Sequence, residues 1–246
     1  GLLNITNRPL WRTVKGGSKE YVKRLTDSYK ESIRFEKVSA IRRKVDGVEI
    51  QSYKNDVEIF DHVIIATHAD EAFLLLEDPS PREKDLLSSW KYTKNQAVLH
   101  NDYNLMPKRK RVWSSWNFIA NGKPDRDEKV CLTYWMNRLQ NIPESKPLFV
   151  TLNPGEVIMD EAIISEHEYT HPYFDTNALE SQKNLWDIQG VNRTWFCGSY
   201  FGYGFHEDGL QSGLAVAEQL GGLSRPWNTV DENDRIIVKS PNQVAA

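Results

Sequence analysis

Cysteine is scarce in this 246-residue sequence, with only Cys131 and Cys197 present, far apart on apolar, strand-like runs. Two such thiols make no disulfide framework, which fits a reducing compartment, and a cytoplasmic location is expected. Long apolar runs are missing too: none reaches the roughly 18 residues of a membrane-spanning helix. The opening Gly1-Leu2-Leu3-Asn4 has neither the basic flank nor the apolar stretch of a signal peptide. Charge of one sign is not in excess, since 31 Lys and Arg face 34 Asp and Glu for a net charge of −3. That balance offers no global field to nucleic acid or to an anionic membrane, and no nucleic-acid partner is expected. There is no C-x-x-C pair, no Walker loop and no G-x-S-x-G elbow. With 14 Gly and 11 Pro, the chain is neither collagen-like nor low-complexity.

Aromatic mass is what the sequence has in quantity: 8 Trp, 10 Tyr and 9 Phe, gathered at Trp113/Trp116, at Tyr134/Trp135 and from Trp195 to Phe205. Rings of that size read first as core. Along the chain, Gly16-Gly17 makes a break and Ser18 is placed to cap a helix carrying Tyr21, Val22, Leu25 and Tyr29. Strands are expected at Ile33–Phe35 and Val38–Val45. Asp46-Gly47 then predicts a hairpin returning over Val48–Tyr53, and Asn55-Asp56 a turn before Val57–Phe60. The unbroken apolar run His62–Thr67 suits a parallel strand covered on both faces. Helices are expected over Asp70–Leu76 and Pro81–Trp90, the second marked by Ser80 as cap, Pro81 at its first position and Glu83 completing a capping box.

From Gln96 to Tyr169 the pattern turns to strands: Ala97–His100, Val112–Trp113, Val130–Trp135, Leu148–Leu152 and Ile163–Tyr169. A helix over Thr176–Ile188, a strand at Thr194–Cys197, a Gly-rich turn and a helix from about Gly209 to Leu220 follow. Beyond Gly222, two prolines and weak periodicity predict a surface tail.

His167-Glu168-Tyr169-Thr170-His171 spells the H-E-x-x-H of zinc peptidases, which need both imidazoles one helical turn apart on one face. Here Ile163, Ile164, Tyr169 and Thr170 favour a strand, and Pro172 pushes His171 out of the helical region. Residues four apart on a strand are separated by roughly 13 Å, so no metal site is expected. Lys108-Arg109-Lys110-Arg111 reads as a solvated loop tip at this net charge, the alternative being local attraction to an anionic head group. His62, His68 and His100 lie at strand ends, where a structural histidine is usual.

The richest stretch runs from Thr194 to Ala217, a strand, a turn holding Gly198, Gly202 and Gly204, and a helix whose first turn is acidic. Glycines let a backbone come close to a ligand, and a helix N-terminus offers unpaired N–H groups and a positive dipole end. Gly213, Ala215 and Ala217 keep one helix flank small enough to pack tightly.

That stretch resembles the C-terminal flavin motif of the flavin-containing amine oxidase superfamily, and Phe60-Asp61-His62-Val63-Ile64-Ile65-Ala66-Thr67-His68 is similar to its second flavin strand. More narrowly, Leu99–Asp102, Ser115–Asn117, Tyr134–Gln140, Thr151–Pro154 and Gly204–Gly209 resemble predicted NAD/FAD-binding proteins found beside cyclopropane-fatty-acid synthases. The resemblance runs from about Trp11 to Gly222. It implies an α/β fold: the distal half of a Rossmann-like FAD-binding domain (residues 1–93 and 173–222) with an inserted, mostly antiparallel substrate-domain sheet (94–172) and a surface tail (223–246). It implies FAD as cofactor, with the Val38 backbone at the adenine and Ala66 and Thr67 near the dinucleotide. Gly198, Ser199 and Tyr200 would lie along the ribityl–pyrophosphate region, Phe205 beside the ring, and His206, Glu207 and Gly209 at its pyrimidine edge.

Three departures stand out. Ser199 replaces an acidic residue common in relatives, no position matches an amine oxidase's catalytic Lys, and no G-x-G-x-x-G fingerprint for the FAD pyrophosphate occurs anywhere. The expectation is therefore the C-terminal part of a FAD-dependent oxidoreductase that takes a hydride from an apolar, lipid-like small molecule. An N-terminal nucleotide-binding segment would be its partner, and the fragment would be inactive alone. A non-enzymatic scaffold derived from such a flavoprotein is the alternative.

Overall fold

The computed structural model describes residues 6, 12–118, 131–230 and 232–239. In chain order the elements are α1 (Lys19–Thr26), β1 (Val38–Arg43), β2 (Val48–Ser52), β3 (Val57–Phe60), β4 (Val63–Ile65), α2 (Ala69–Leu75), α3 (Pro81–Leu87) and β5 (Lys91–His100). They continue with β6 (Trp116–Phe118), β7 (Leu132–Trp135), α4 (Met136–Gln140), β8 (Phe149–Leu152), β9 (Ile163–Tyr173), α5 (Thr176–Gln182), β10 (Thr194–Phe196) and α6 (His206–Gly221). The fold is mixed α/β, and the chain divides into two compact units. No helix among the described residues is long and apolar enough to cross a membrane.

One unit comprises residues 35–93 and 170–246. Its strands β1, β2 and β3 form the antiparallel meander that the two turn signals predict, with Lys44 N–H donating to the Gly47 carbonyl at 2.8 Å across the first. β4 and β10 form a separate parallel pair, Val63 opposite Thr194 and Ile65 opposite Phe196. A single apolar core holds Ile41, Val48, Ile65, Leu87, Trp186, Phe196, Tyr200 and Val216. α3 starts as its sequence specifies: Ser80 Oγ accepts from Glu83 N–H at 3.2 Å, and the Glu83 carboxylate accepts from Ser80 N–H at 2.8 Å. Glu83 is wholly buried and takes the Arg43 guanidinium on both oxygens at 2.9 and 3.0 Å.

The other unit comprises residues 1–34 and 94–169. Its sheet runs β6-β7-β8-β5-β9, antiparallel through β6-β7-β8-β5. Val98, Leu105, Ile158 and Ala162 form its apolar cluster. A line of buried polar groups threads the same sheet. His100 Nδ1 accepts from Asp102 N–H at 3.2 Å, His100 Nε2 lies 2.8 Å from Thr151 Oγ1, and Thr151 Oγ1 lies 2.8 Å from Thr133 Oγ1. Because Nδ1 is an acceptor, the imidazole is neutral and donates through Nε2.

Several expectations need correction. Ile33–Phe35 is no strand: it belongs to no sheet among the described residues, and Phe35 is fully exposed. Ser18 does not cap α1, since its own backbone is helical and its hydroxyl makes no cap bond. α1 has no buried residue, and Tyr29 leaves helical geometry at φ −131°. Val112–Trp113 is not a strand, because Lys110–Val112 is a 3₁₀ turn, and Trp116–Phe118 pairs with β7 instead. The helix from Thr176 stops at Gln182 and resumes as a 3₁₀ turn over Leu185–Ile188. β4 is buried at Val63 and Ile65 but exposed at Ile64, so it is covered on one face only. Trp11 and Val130 lie outside the described residues.

Burial is the main cause pulling His100 below its ordinary value of 6.5, with Asp102 opposing it. The unfolded chain then binds more protons than the folded one as pH falls through 6.5, so acid costs stability. Urea unfolding between pH 7.5 and 5 is expected to show a slope attributable to His100 of up to about 1.4 kcal/mol per pH unit. His100→Gln is expected to be less stable at pH 7.5 but to lack that slope. Equal slopes in the two proteins would contradict this.

Candidate functional site

β4 and β10 run parallel, so both end on the same side of the pair, and the residues that leave them meet. Cys197 N–H donates to the Ile65 carbonyl at 3.1 Å, which keeps the strands in register until Ala66-Thr67 and Gly198 diverge. A Cβ built on Gly198 would stand 3.5 Å from the Thr67 carbonyl and 2.7 Å from the Tyr200 ring. Only glycine fits there, because Tyr200 turns back under the strand end into the core.

The turn is then tied to α6. Ser212, wholly buried, accepts from Gly198 N–H at 3.0 Å, and its hydroxyl lies 3.2 Å from the Gly198 carbonyl and 3.1 Å from that of Gly209. Gln182 donates to the carbonyls of Tyr200 and Gly202 at 2.8 and 2.6 Å. Asp208, also fully buried, accepts from Phe205 N–H at 2.7 Å and caps the helix from its third residue. The same carboxylate receives the Arg235 guanidinium at 2.6 and 3.2 Å. Gly202 makes room for it, since a Cβ there would sit 2.6 Å from Asp208 Cγ. Arg235 also lies over Tyr203 and Phe205, 5.2 and 5.7 Å from their ring centres. The tail is therefore docked where it is described: Ile236 is buried in the core and Lys239 pairs with Asp187.

The positions singled out in the sequence fall into three groups. Ala66, Thr67, Gly198, Ser199, Phe205, His206, Glu207 and Gly209 come together around the strand ends and the first turn of α6. A Cβ on Gly209 would lie 3.8 Å from Ser199 N. Val38 opens β1 in the separate three-stranded sheet. Tyr200 is a core side chain, 2% exposed, whose hydroxyl has no hydrogen-bond partner among the described residues. Burial, reinforced by Cys197 and Tyr92, raises its pKa well above the ordinary tyrosine range. α6 begins at His206, three residues earlier than the sequence suggests. On its flank Ala215 is buried, but Ala217 is exposed and Gly213 has nothing within 4 Å of its Cβ position.

Sequence reasoning did not single out Asp208, Ser212 and Arg235, and it read His68 only as a structural histidine. Asp208 has a local signal, an acidic residue at the third position of a helix. Arg235 acts from 27 residues away, with none. His68 stands beside Thr67 and stacks on Tyr92, ring centres 4.3 Å apart at 17°, with Nδ1 3.3 Å from Thr170 Oγ1. Tyr92 accepts from Ala69 N–H at 2.9 Å, and burial pushes its phenol up to about 12. His167 and His171 both lie on β9 as expected, and no group of metal-ligating side chains occurs among the described residues.

The donors left at this site are informative. The amides of His206 and Glu207 have no acceptor among the described residues, whereas Asp208 and Gly209 N–H groups already bond the Phe205 carbonyl at 3.1 and 3.3 Å. Two N–H groups at the positive end of a 16-residue helix, next to an exposed aromatic ring, suit an electron-rich planar group.

Ser212→Ala should strand the Gly198 amide and destabilise the protein by about 1–3 kcal/mol. Gly198→Ala should cost a similar amount through collision with Tyr200, and less in a Tyr200→Leu background. Urea unfolding of Ser212→Ala, Gly198→Ala, Tyr200→Leu and the Gly198→Ala/Tyr200→Leu double variant reads both effects, and an unchanged cost of Gly198→Ala in the Tyr200→Leu background would refute the collision.

No protein-family profile matches the sequence, and no curated protein matches it. Solved structures match its fold. Putrescine oxidase bound to putrescine is similar with a TM-score of 0.58 at 12% identity, over 85% of this chain and 53% of that chain. Reduced UDP-galactopyranose mutase is similar with a TM-score of 0.58 at 12% identity, over 94% and 55%. A CLA-producing fatty acid isomerase from P. acnes is similar with a TM-score of 0.53 at 12% identity, over 75% and 47%. This chain thus has the fold of part of each of these enzymes and spans about half their length.

Proposed function

We propose that this chain is the C-terminal part of a FAD-dependent, amine oxidase-like oxidoreductase that removes a hydride from an apolar, lipid-like small molecule. The observation that carries this reading is the convergence of Thr67, Gly198 and the first turn of α6, tied together by Ser212. Phe205, the amides of His206 and Glu207 and the close backbone at Gly198 and Ser199 would hold the ring end of the cofactor. Ala66, Thr67 and the Val38 backbone would face the rest of it. FAD, when bound, supplies the hydride acceptor. The chain's own contribution is electrostatic: two N–H donors at a helix N-terminus favour the ring edge that gains negative charge on reduction.

The pyrophosphate fingerprint is not in this sequence, and an N-terminal nucleotide-binding segment would supply it. The edges of the parallel pair support that arrangement. The outer edge of β10 is closed by Gln189, whose amide bonds both Phe196 N–H and carbonyl at 2.8 and 2.7 Å. The outer edge of β4 has no strand beside it among the described residues, and Ile64 is exposed. Two-stranded parallel sheets are poorly stable, and a further strand beside β4 would cover both. The apolar substrate class rests on the aromatic-rich unit of residues 94–169, and one enzyme of similar fold is named as a fatty acid isomerase.

Titration of FAD into the chain alone is expected to give weak or no binding. Adding a separately produced N-terminal half with a G-x-G-x-x-G turn is expected to give a stoichiometric complex with flavin absorbance. A stoichiometric yellow complex from this chain alone would refute the incomplete site. No flavin in the reconstituted or full-length protein would leave the non-enzymatic scaffold.

A further inference from the structure

We propose that the turn Lys108–Val112 docks this protein on an anionic lipid bilayer. The sequence places four cations in succession there. Glu144 holds Lys110 at 2.7 Å, while Lys108, Arg109 and Arg111 are exposed and have no ion-pair partner among the described residues. Three such cations within four residues, none paired among the described residues, stand out in a chain whose net charge is −3. The attraction is therefore local, and it reaches no further than the roughly 8 Å over which physiological salt leaves a charge unscreened.

The turn is also held in shape. Trp113 Nε1 donates to the Pro107 carbonyl at 2.7 Å, and Arg138 donates to the Trp113 carbonyl at 3.3 Å. The indole stacks on Tyr103 with ring centres 5.8 Å apart, meets Trp135 edge-on at 5.2 Å, and carries Lys110 Nζ 5.8 Å from its ring centre. The cations are consequently presented by a packed aromatic base rather than by a loose loop.

What lies beside them identifies the partner. Val112 is 59% exposed immediately after Arg111, and Tyr103 is 50% exposed beside Trp113. An exposed aliphatic side chain directly after the basic run, with a half-exposed tyrosine against Trp113, matches the layering of a bilayer interface: acyl boundary, ring level, phosphate level. A single-stranded nucleic acid would instead need open ring faces for its bases, and both the stacking and edge contacts of Trp113 are already taken; a duplex, which needs only cations for its phosphates, gains nothing from the exposed Val112.

Flotation of the full chain with vesicles tests this. The protein is expected to float with phosphatidylcholine vesicles only when phosphatidylglycerol is included, and to be released in about 1 M salt. Arg109→Ala/Arg111→Ala should weaken partitioning about thirtyfold, and Val112→Ser, which changes no charge, should weaken it at low salt. Lys84→Ala/Lys183→Ala, an equal change of charge elsewhere, should leave it unaltered, and circular dichroism checks that each variant is folded. Equal flotation with neutral vesicles would overturn the proposal. So would equal weakening by the Lys84/Lys183 pair, no effect of the Arg109/Arg111 pair, or tighter binding to duplex DNA than to the anionic vesicles.

Discussion

The bond between Gly198 N–H and the buried hydroxyl of Ser212 is the constraint on which the rest of the strand-and-helix junction depends. It requires Gly198 to lie within 3.0 Å of a side chain on a helix that begins eight residues later, and the chain between them has to fold back accordingly. Tyr200 and Phe201 go inward because the short link leaves no outward path, so Gly198 has to do without a side chain. Gly202 must be bare so that Asp208 can come in beneath it, and Asp208 then caps Phe205 and anchors Arg235. An unpaired buried polar group costs about 1–3 kcal/mol against a total stability of about 5–15 kcal/mol. A chain that kept the hydrophobic pattern here but lost one of these partners would keep its core and misplace its helix.

The same logic recurs elsewhere in both units. Arg43 and Glu83 are both nearly inaccessible, and the pair is tolerable because Glu83 also receives the Ser80 amide. Asn137 donates to three carbonyls, those of Ile142, Pro143 and Lys146, and accepts from Leu148 N–H at 2.8 Å, which shapes the entire loop between α4 and β8. Gln189 stands in for a missing strand along β10. Apolar burial draws these segments together without direction; the buried amides and carboxylates decide which of the compact arrangements is adopted. Gln189 matters most for the site, since closing the β10 edge leaves β4 as the side on which the parallel pair can grow.

Features encoded within a few residues were legible in the sequence. The Asp46-Gly47 hairpin, the Ser80-Pro81-Glu83 helix start and the strand character of His167–His171 all follow from local stereochemistry, and the structure has each of them. Ala66, Thr67, Gly198 and Gly209 were singled out through the resemblance together with the glycine pattern, and the structure sets Gly198 beside Thr67 and Gly209 beside Ser199. What failed needed a partner that no local pattern names. Ile33–Phe35 has strand composition and joins no sheet among the described residues. The apolar stripe of α1 has the right period, yet no side chain of that helix is buried. α6 starts at His206 because Asp208 caps it from inside, whereas the sequence draws attention to Gly209. Arg235 could not be foreseen, because 27 residues separate it from the carboxylate that places it.

The acidic start of α6 would be expected to repel an electron-rich ligand, and the structure shows why it need not. Asp208 is turned inward and its charge is met by Arg235, which itself spans Tyr203 and Phe205. Glu207 accepts from Gln211 at 3.0 Å, one helical turn on, which draws its carboxylate along the helix flank. Both acids support the helix dipole from the side and leave its axial end to the amides of His206 and Glu207. The first turn therefore presents N–H donors rather than carboxylates, with Phe205 exposed beside them. Carboxylates that in sequence look like the chemistry of the site act in the fold as its supports, and the backbone they support is the surface that can meet a ligand.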